Sequence, residues 1–421
     1  MATIDLPLLR VPVSVIIDDS APCVNLGYYW LEQREAWMNR HRPGGIPEED
    51  RLRFEKNRAN FRAIPAEFAR RFGEWCLDAG VKGKFSLIPC PAHLGRIDER
   101  LEGHSGAELD AWLRAAKEVL WKNWDLTPEM LTHTFVVDLK TWRPTEAWEQ
   151  YEWAFPVHEP LLTEYIAKSL ELLRRVGIPC EGVTSPGGFG GKMEETYARA
   201  TLNACRQVNG TPRPYYFKRI YLDKPPEVPV LLGDAERGTA VMSIIACTGD
   251  WFGGWTGFDV GDVDRFLTPD GRGGRLPEVI AQRRPAVMCG HWPGFYQNGE
   301  ELGFKVLQEI KRRLDEHYAA DVLWMKVSEI TDYECTRALA RVESSDTGRG
   351  ARVKVRNAFA VPRFTLRVPN LRATRVACGG KAFDRARERA GLAEGGFVHD
   401  GADTVLALRL PAGETAVELE R

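Results

Sequence analysis

From Val11 to about Cys335 the apolar positions alternate between two kinds of pattern. Val11–Ile17 is a β-branched run, the composition of a strand buried on both faces. Pro65–Ala79 then predicts a helix, with Phe68, Phe72, Cys76 and Ala79 at three- and four-residue spacing and Gly80 as its stop. A strand over Lys84–Ile88 follows directly. The pair recurs where Leu162, Ile166, Leu170, Leu173 and Val176 form one stripe ended by Gly177, with Cys180–Thr184 next. It recurs again where Phe304, Leu307, Ile310 and Leu314 precede Asp321–Val327. Sustained helix–strand alternation predicts an α/β fold with a parallel sheet and outer helices, most economically a barrel.

After Cys335 the period shortens to two. Arg352–Arg356, Phe364–Val368, Val405–Leu410 and Thr415–Leu419 alternate apolar with polar residues, and Gly, Pro and Asn separate them. These are the marks of half-buried antiparallel strands, so a small β-sandwich is expected. The division falls between a barrel over residues 1–338 and an accessory domain over 339–421, with 343–350 as linker.

Composition changes this picture little. The chain has 421 residues, enough for one large and one smaller core, with 44% hydrophobic and 28% charged residues. A net charge of -2 gives no basic face for nucleic acid, and no apolar run reaches the roughly 20 residues that span a bilayer. The first ten residues lack a secretory pattern, so a cytoplasmic location is expected. Nine cysteines without a C-x-x-C pair predict buried, reduced thiols, which leaves metal binding to His and carboxylates. The oligomeric state stays open, a homo-oligomer included.

Ligands of parallel α/β sheets bind beyond the carboxyl ends of the strands, so polar residues just after apolar runs are the candidates for chemistry. Asp18-Asp19 closes the first strand; a divalent cation would relieve their repulsion and leave one carboxylate as a base, whereas the plain alternative is a solvated turn. His133 follows Leu126–Leu131 and could ligate a metal or simply be hydrogen-bonded. Asp250-Trp251 follows the run Val241–Ala246; the Asp could orient a catalytic His or sit in a loop beside a core Trp. His291 follows Val287-Met288-Cys289-Gly290 and suits general acid–base work as well as a structural role. Between them, the loop around Pro186-Gly187-Gly188 permits close backbone approach to a substrate. It lacks the phosphate-loop pattern, and nucleotide binding is rejected.

In chain order these segments resemble the polysaccharide deacetylases, carbohydrate esterases with a distorted (β/α) barrel. Val15-Ile16-Ile17-Asp18-Asp19-Ser20 resembles the family's T-F-D-D-G, and His133-Thr134 resembles the start of its H-[ST]-x-x-H. Val137 stands where the second His belongs, with Asp138 next. Thr184–Gly190 echoes R-x-P-[aromatic]-G without the Arg, Asp250-Trp251 resembles the D-W pair, and His291 the final His. The resemblance implies a divergent, metal-dependent hydrolase that deacetylates an N- or O-acetylated sugar. Asp18 would be the base, Asp19 and His133 ligands of a zinc-like ion, and His291 the acid oriented by Asp250. Trp251, Trp292, Pro186 and Gly187 would contact the sugar, with Trp255 near them. His93, His104 and Asp138 are the candidates for a third ligand. The alternatives are a glycoside hydrolase pairing Asp18 or Asp19 with Asp250 or Glu329, and a non-catalytic carbohydrate-binding protein.

Overall fold

A computed structural model describes residues 1–150, 153 and 157–421. Its α/β part is organised around the strand Val11–Asp18, which is buried at every position, as its β-branched composition requires. On one side it pairs in parallel with Ala286–His291, and it also pairs in parallel with Gly83–Ser86 and Val322–Trp324. Trp124–Thr127 extends this sheet beyond Gly83–Ser86. A second sheet carries Gly182–Thr184, Tyr215–Ile220 and Thr239–Ala246 in parallel, with Val230–Asp234 antiparallel at one edge.

The expected closed barrel is not formed by continuous pairing among the described residues. The two sheets meet instead through single backbone bonds, from Thr184 N–H to Pro128 C=O (2.8 Å) at one seam and from Cys247 N–H to Val287 C=O (2.7 Å) at the other. Strand length explains the first gap. Gly182–Thr184 has three residues and spends its ladder on Tyr215–Phe217, leaving little backbone for a second partner.

The helices follow their apolar stripes. Ala66–Ala79 buries Phe68, Phe72 and Cys76 and ends on Gly80 in the left-handed region (φ +69°), where its N–H returns to the Cys76 and Leu77 carbonyls. Glu159–Arg175 buries Leu162, Ile166, Leu170 and Leu173, and Leu302–Tyr318 buries Phe304, Leu307, Ile310 and Leu314. No described helix is long and apolar enough to cross a membrane.

The C-terminal residues, with Thr3–Ile4 at one edge, form two five-stranded sheets that share a core including Val355, Leu366, Leu406 and Val417. One expectation changes here. Residues 343–350 are not a linker: Arg341–Asp346 is a strand at a sheet edge, and the polar composition that suggested a loop suits such an edge. Thr3–Ile4 pairs with Val361–Val368, and Arg367 reaches Asp5, Asp400 and Asp403 at 2.7–2.9 Å, so the two ends of the chain are joined. The boundary expected at 338/339 falls in the last turn of the helix Val327–Leu339.

Trp292 was expected on the substrate; the structure places it in the core. It begins the short helix Trp292–Tyr296, is fully buried, and packs on Phe68 at 4.7 Å and Phe85 at 4.8 Å between ring centroids. Trp292→Ala should therefore cost about 3–5 kcal/mol of stability, measured by chemical denaturation. A loss below about 1 kcal/mol would contradict this packing.

Candidate active site

The strand Val11–Asp18 delivers Asp18 to the sheet's carboxyl edge, and Asp19 then turns into the left-handed region (φ +56°), which aspartate tolerates better than most residues. Two consecutive carboxylates thereby line one cavity of about 380 Å³. Asp18 is met by Lys84, fully buried on the neighbouring strand, whose Nζ donates to Asp18 Oδ1 (2.6 Å) and Ser86 Oγ (2.8 Å). Burial pushes the Asp18 carboxyl up to about 6, against the opposing pull of Lys84. Nothing in the sequence pattern marked Lys84, which sits inside an otherwise ordinary strand.

Asp19 faces Glu129 and His133. His133 Nε2 lies 2.8 Å from Asp19 Oδ1 and 3.2 Å from Glu129 Oε1, while Glu129 Oε2 accepts the Asp19 backbone N–H at 2.9 Å. One donor atom from each of the three residues lies within 4.8 Å of the others, and all three residues are buried. Glu129 was not anticipated. Its signal was the four-residue spacing to His133, the same interval as between the two histidines of H-[ST]-x-x-H.

The loop carrying Glu129 and His133 is irregular, with Met130 and His133 at positive φ. Glu149 holds it. This fully buried carboxylate accepts the backbone N–H groups of Leu131, Thr132 and His133 and the Tyr165 hydroxyl. Burial pushes Glu149 up to about 7, against these bonds.

The donor set fits a divalent cation. Carboxylate oxygen and imidazole nitrogen both ligate zinc, and the 2.8–3.2 Å separations of His133 Nε2 from the two carboxylates approach the roughly 3.3 Å edge of a tetrahedron with bonds of about 2.0–2.1 Å. Burial works against charge on His133, yet Asp19 and Glu129 hold its pKa well above the ordinary value. The two carboxylates thus demand a positive charge where a cation would sit. His133 Nδ1 is buried without a hydrogen-bond partner among the described residues.

His291 ends the strand Ala286–His291 directly beside Asp18, its register partner. Its Nδ1 lies 2.7 Å from Asp250 Oδ2. Burial opposes protonation of His291, but Asp19, Asp250 and Asp18 raise its pKa to about 10.

The structure thus gathers Asp18, Asp19, His133 and His291 around one cavity, with Asp250 behind His291. Gly187 also lines it, whereas Pro186 is buried outside the lining. Trp251 stands apart, edge-on to Phe266 with the Arg265 guanidinium 4.3 Å over its ring. The aromatic walls are Trp30, Trp255 and Phe217. Glu129 takes the place expected of His93, His104 or Asp138. His93 Nε2 is bonded to the Phe135 carbonyl (2.7 Å), His104 precedes the capped helix Gly106–Ala115, and exposed Asp138 caps its own turn at Lys140 and Thr141.

No family model matches the chain, and no curated protein matches it in sequence. Among solved structures it is similar to a probable polysaccharide deacetylase from Pseudomonas aeruginosa PAO1, at 10% identity and a TM-score of 0.41 over 77% of this chain and 90% of that one. A Puue allantoinase is similar at 10% identity and 0.41, over 78% of this chain and 91% of the other. An alpha-L-fucosidase is similar at 12% identity and 0.36, over 99% and 97%.

Proposed function

We propose that the protein is a metal-dependent hydrolase that removes an acyl group, most simply acetyl, from a carbohydrate. One observation carries this reading: three convergent ligand atoms from Asp19, Glu129 and His133 share a cavity with a carboxylate and an Asp-supported histidine. A zinc-like cation held by those three residues would act as a Lewis acid toward the acyl oxygen and lower the pKa of a water. Asp18 accepts the proton of the attacking water, with Lys84 favouring its charged form and fixing its position. His291 donates through Nδ1 to Asp250, which leaves Nε2 to protonate the departing nitrogen or oxygen. Trp30, Trp255 and Phe217 offer apolar faces suited to a sugar ring.

The glycosidase reading needs two carboxylates free to flank a glycosidic bond. Here Asp18 is held by Lys84, Asp250 by His291, and Asp19 with Glu129 by His133. Glu329 lies outside the cavity lining and engages Lys82 and Arg363. A purely binding protein would have no need of the buried acid–base groups.

Asp18→Asn and His291→Ala should each lower kcat for acetate release from acetylated oligosaccharides by about 10²–10⁴-fold, with circular dichroism unchanged. Chelation should abolish the reaction. Undiminished rates in both variants, or in chelator, would overturn the proposal.

The Lys84–Asp18 pair yields a separate expectation. Lys84→Met leaves a buried carboxylate without its cation and should cost about 3–5 kcal/mol. Adding Asp18→Asn should recover part of that loss, because the uncompensated charge is gone. Denaturation of the single and double variants checks this; additive losses would contradict it.

A further inference from the structure

The strand Tyr215–Ile220 contains an irregularity that bears on the cavity. Against Thr239–Ala246 its register runs from Phe217↔Ile244 directly to Arg219↔Ile245, so Lys218 is an extra residue with no partner. Such a bulge re-aims side chains, here allowing the consecutive residues Phe217 and Lys218 both to line the cavity.

Lys218 is an unusual wall residue. Its side chain is only 5% exposed, and its ammonium lies 3.7 Å from Glu194 Oε2, outside hydrogen-bond distance. Glu194 is already engaged, accepting from the Arg219 guanidinium and from the Tyr216 hydroxyl at 2.7 Å. One carboxylate therefore serves two cations. The other charged groups in or beside the cavity engage one another or a neighbour: Asp18 with Lys84, Asp250 with His291, Asp19 and Glu129 with His133, and Arg53 with Glu49 and Asp50. The ammonium sits on the cavity wall with three N–H donors and, at ion-pair distance, only a carboxylate it shares with Arg219, which leaves donors for a further acceptor. The ammonium also lies beside Gly191, at the end of the glycine-rich segment that contributes Gly187 to the lining.

We propose that Lys218 receives a carboxylate on the substrate, so that the cavity prefers an acidic sugar, of the uronate type, over a neutral one. The inference rests on the carbohydrate reading above and adds a substrate class to it. Lys218 contributes recognition, separate from the bond-breaking groups.

The test is calorimetric binding of glucuronate and of glucose to the whole protein, with zinc present and after chelation. Wild type should bind glucuronate at least about 10-fold more tightly than glucose in both conditions, the size of one charge-assisted hydrogen bond. Lys218→Met should remove the preference, and Lys218→Arg should keep most of it. Equal binding of the two sugars by wild type overturns the proposal. So does a preference that survives in Lys218→Met, or one that disappears on chelation, which would put the carboxylate on the metal. Absence of acetate release with the preference intact would count against the hydrolase reading and leave this one standing.

Discussion

The site depends on the confinement of three nearly buried carboxylates, Asp18, Asp19 and Glu129, around one cavity. Each would be costly there alone, and together they repel. The surrounding structure answers that cost group by group. Lys84, fully buried one strand away, balances Asp18; His133, whose pKa Asp19 and Glu129 hold above the ordinary value, stands between them. A divalent cation would supply a stronger compensating charge there. The parallel pairing of Val11–Asp18 with Ala286–His291 makes the convergence possible, since it brings Asp18 and His291 to the same level of the sheet.

The supporting residues show how a rigid scaffold holds irregular backbone. Asp19, Met130 and His133 all lie at positive φ, a conformation that persists only where other contacts fix it. Glu149 supplies much of that fixing through the three consecutive amides of Leu131, Thr132 and His133. Trp292 does the equivalent for His291: locked among Phe68, Phe85 and Phe72, it anchors the end of the strand from which the histidine projects. At Lys218 the irregularity is a bulge, and it too places a polar side chain on the cavity.

Features that follow from short-range pattern were legible in the sequence. The Asp18–Asp19 strand end, His133, His291 with Asp250, and the Phe68–Phe72–Cys76 stripe all announce themselves through residue type and spacing. Glu129 was hidden because a lone carboxylate beside Pro128 carries no local metal-site signature, although the four-residue interval to His133 was there to be read. Lys84 and Lys218 were hidden because a buried lysine inside a strand has no local signature; its role depends on what lies across the sheet. Residues 343–350 misled for a related reason, since an exposed edge strand and a polar linker share a composition. Pairing of Thr3–Ile4 with Val361–Val368 joins opposite ends of the chain, and no local pattern reports such contacts.

The proposed chemistry requires that Asp19, Glu129 and His133 hold a metal. Equilibrium dialysis of the chelator-stripped protein against zinc, with the bound metal quantified by mass spectrometry, tests this directly. The account predicts a single tight site per chain, with affinity lowered at least about 10-fold in Glu129→Gln and in His133→Ala. An absence of tight binding, or binding unchanged in both variants, would contradict it.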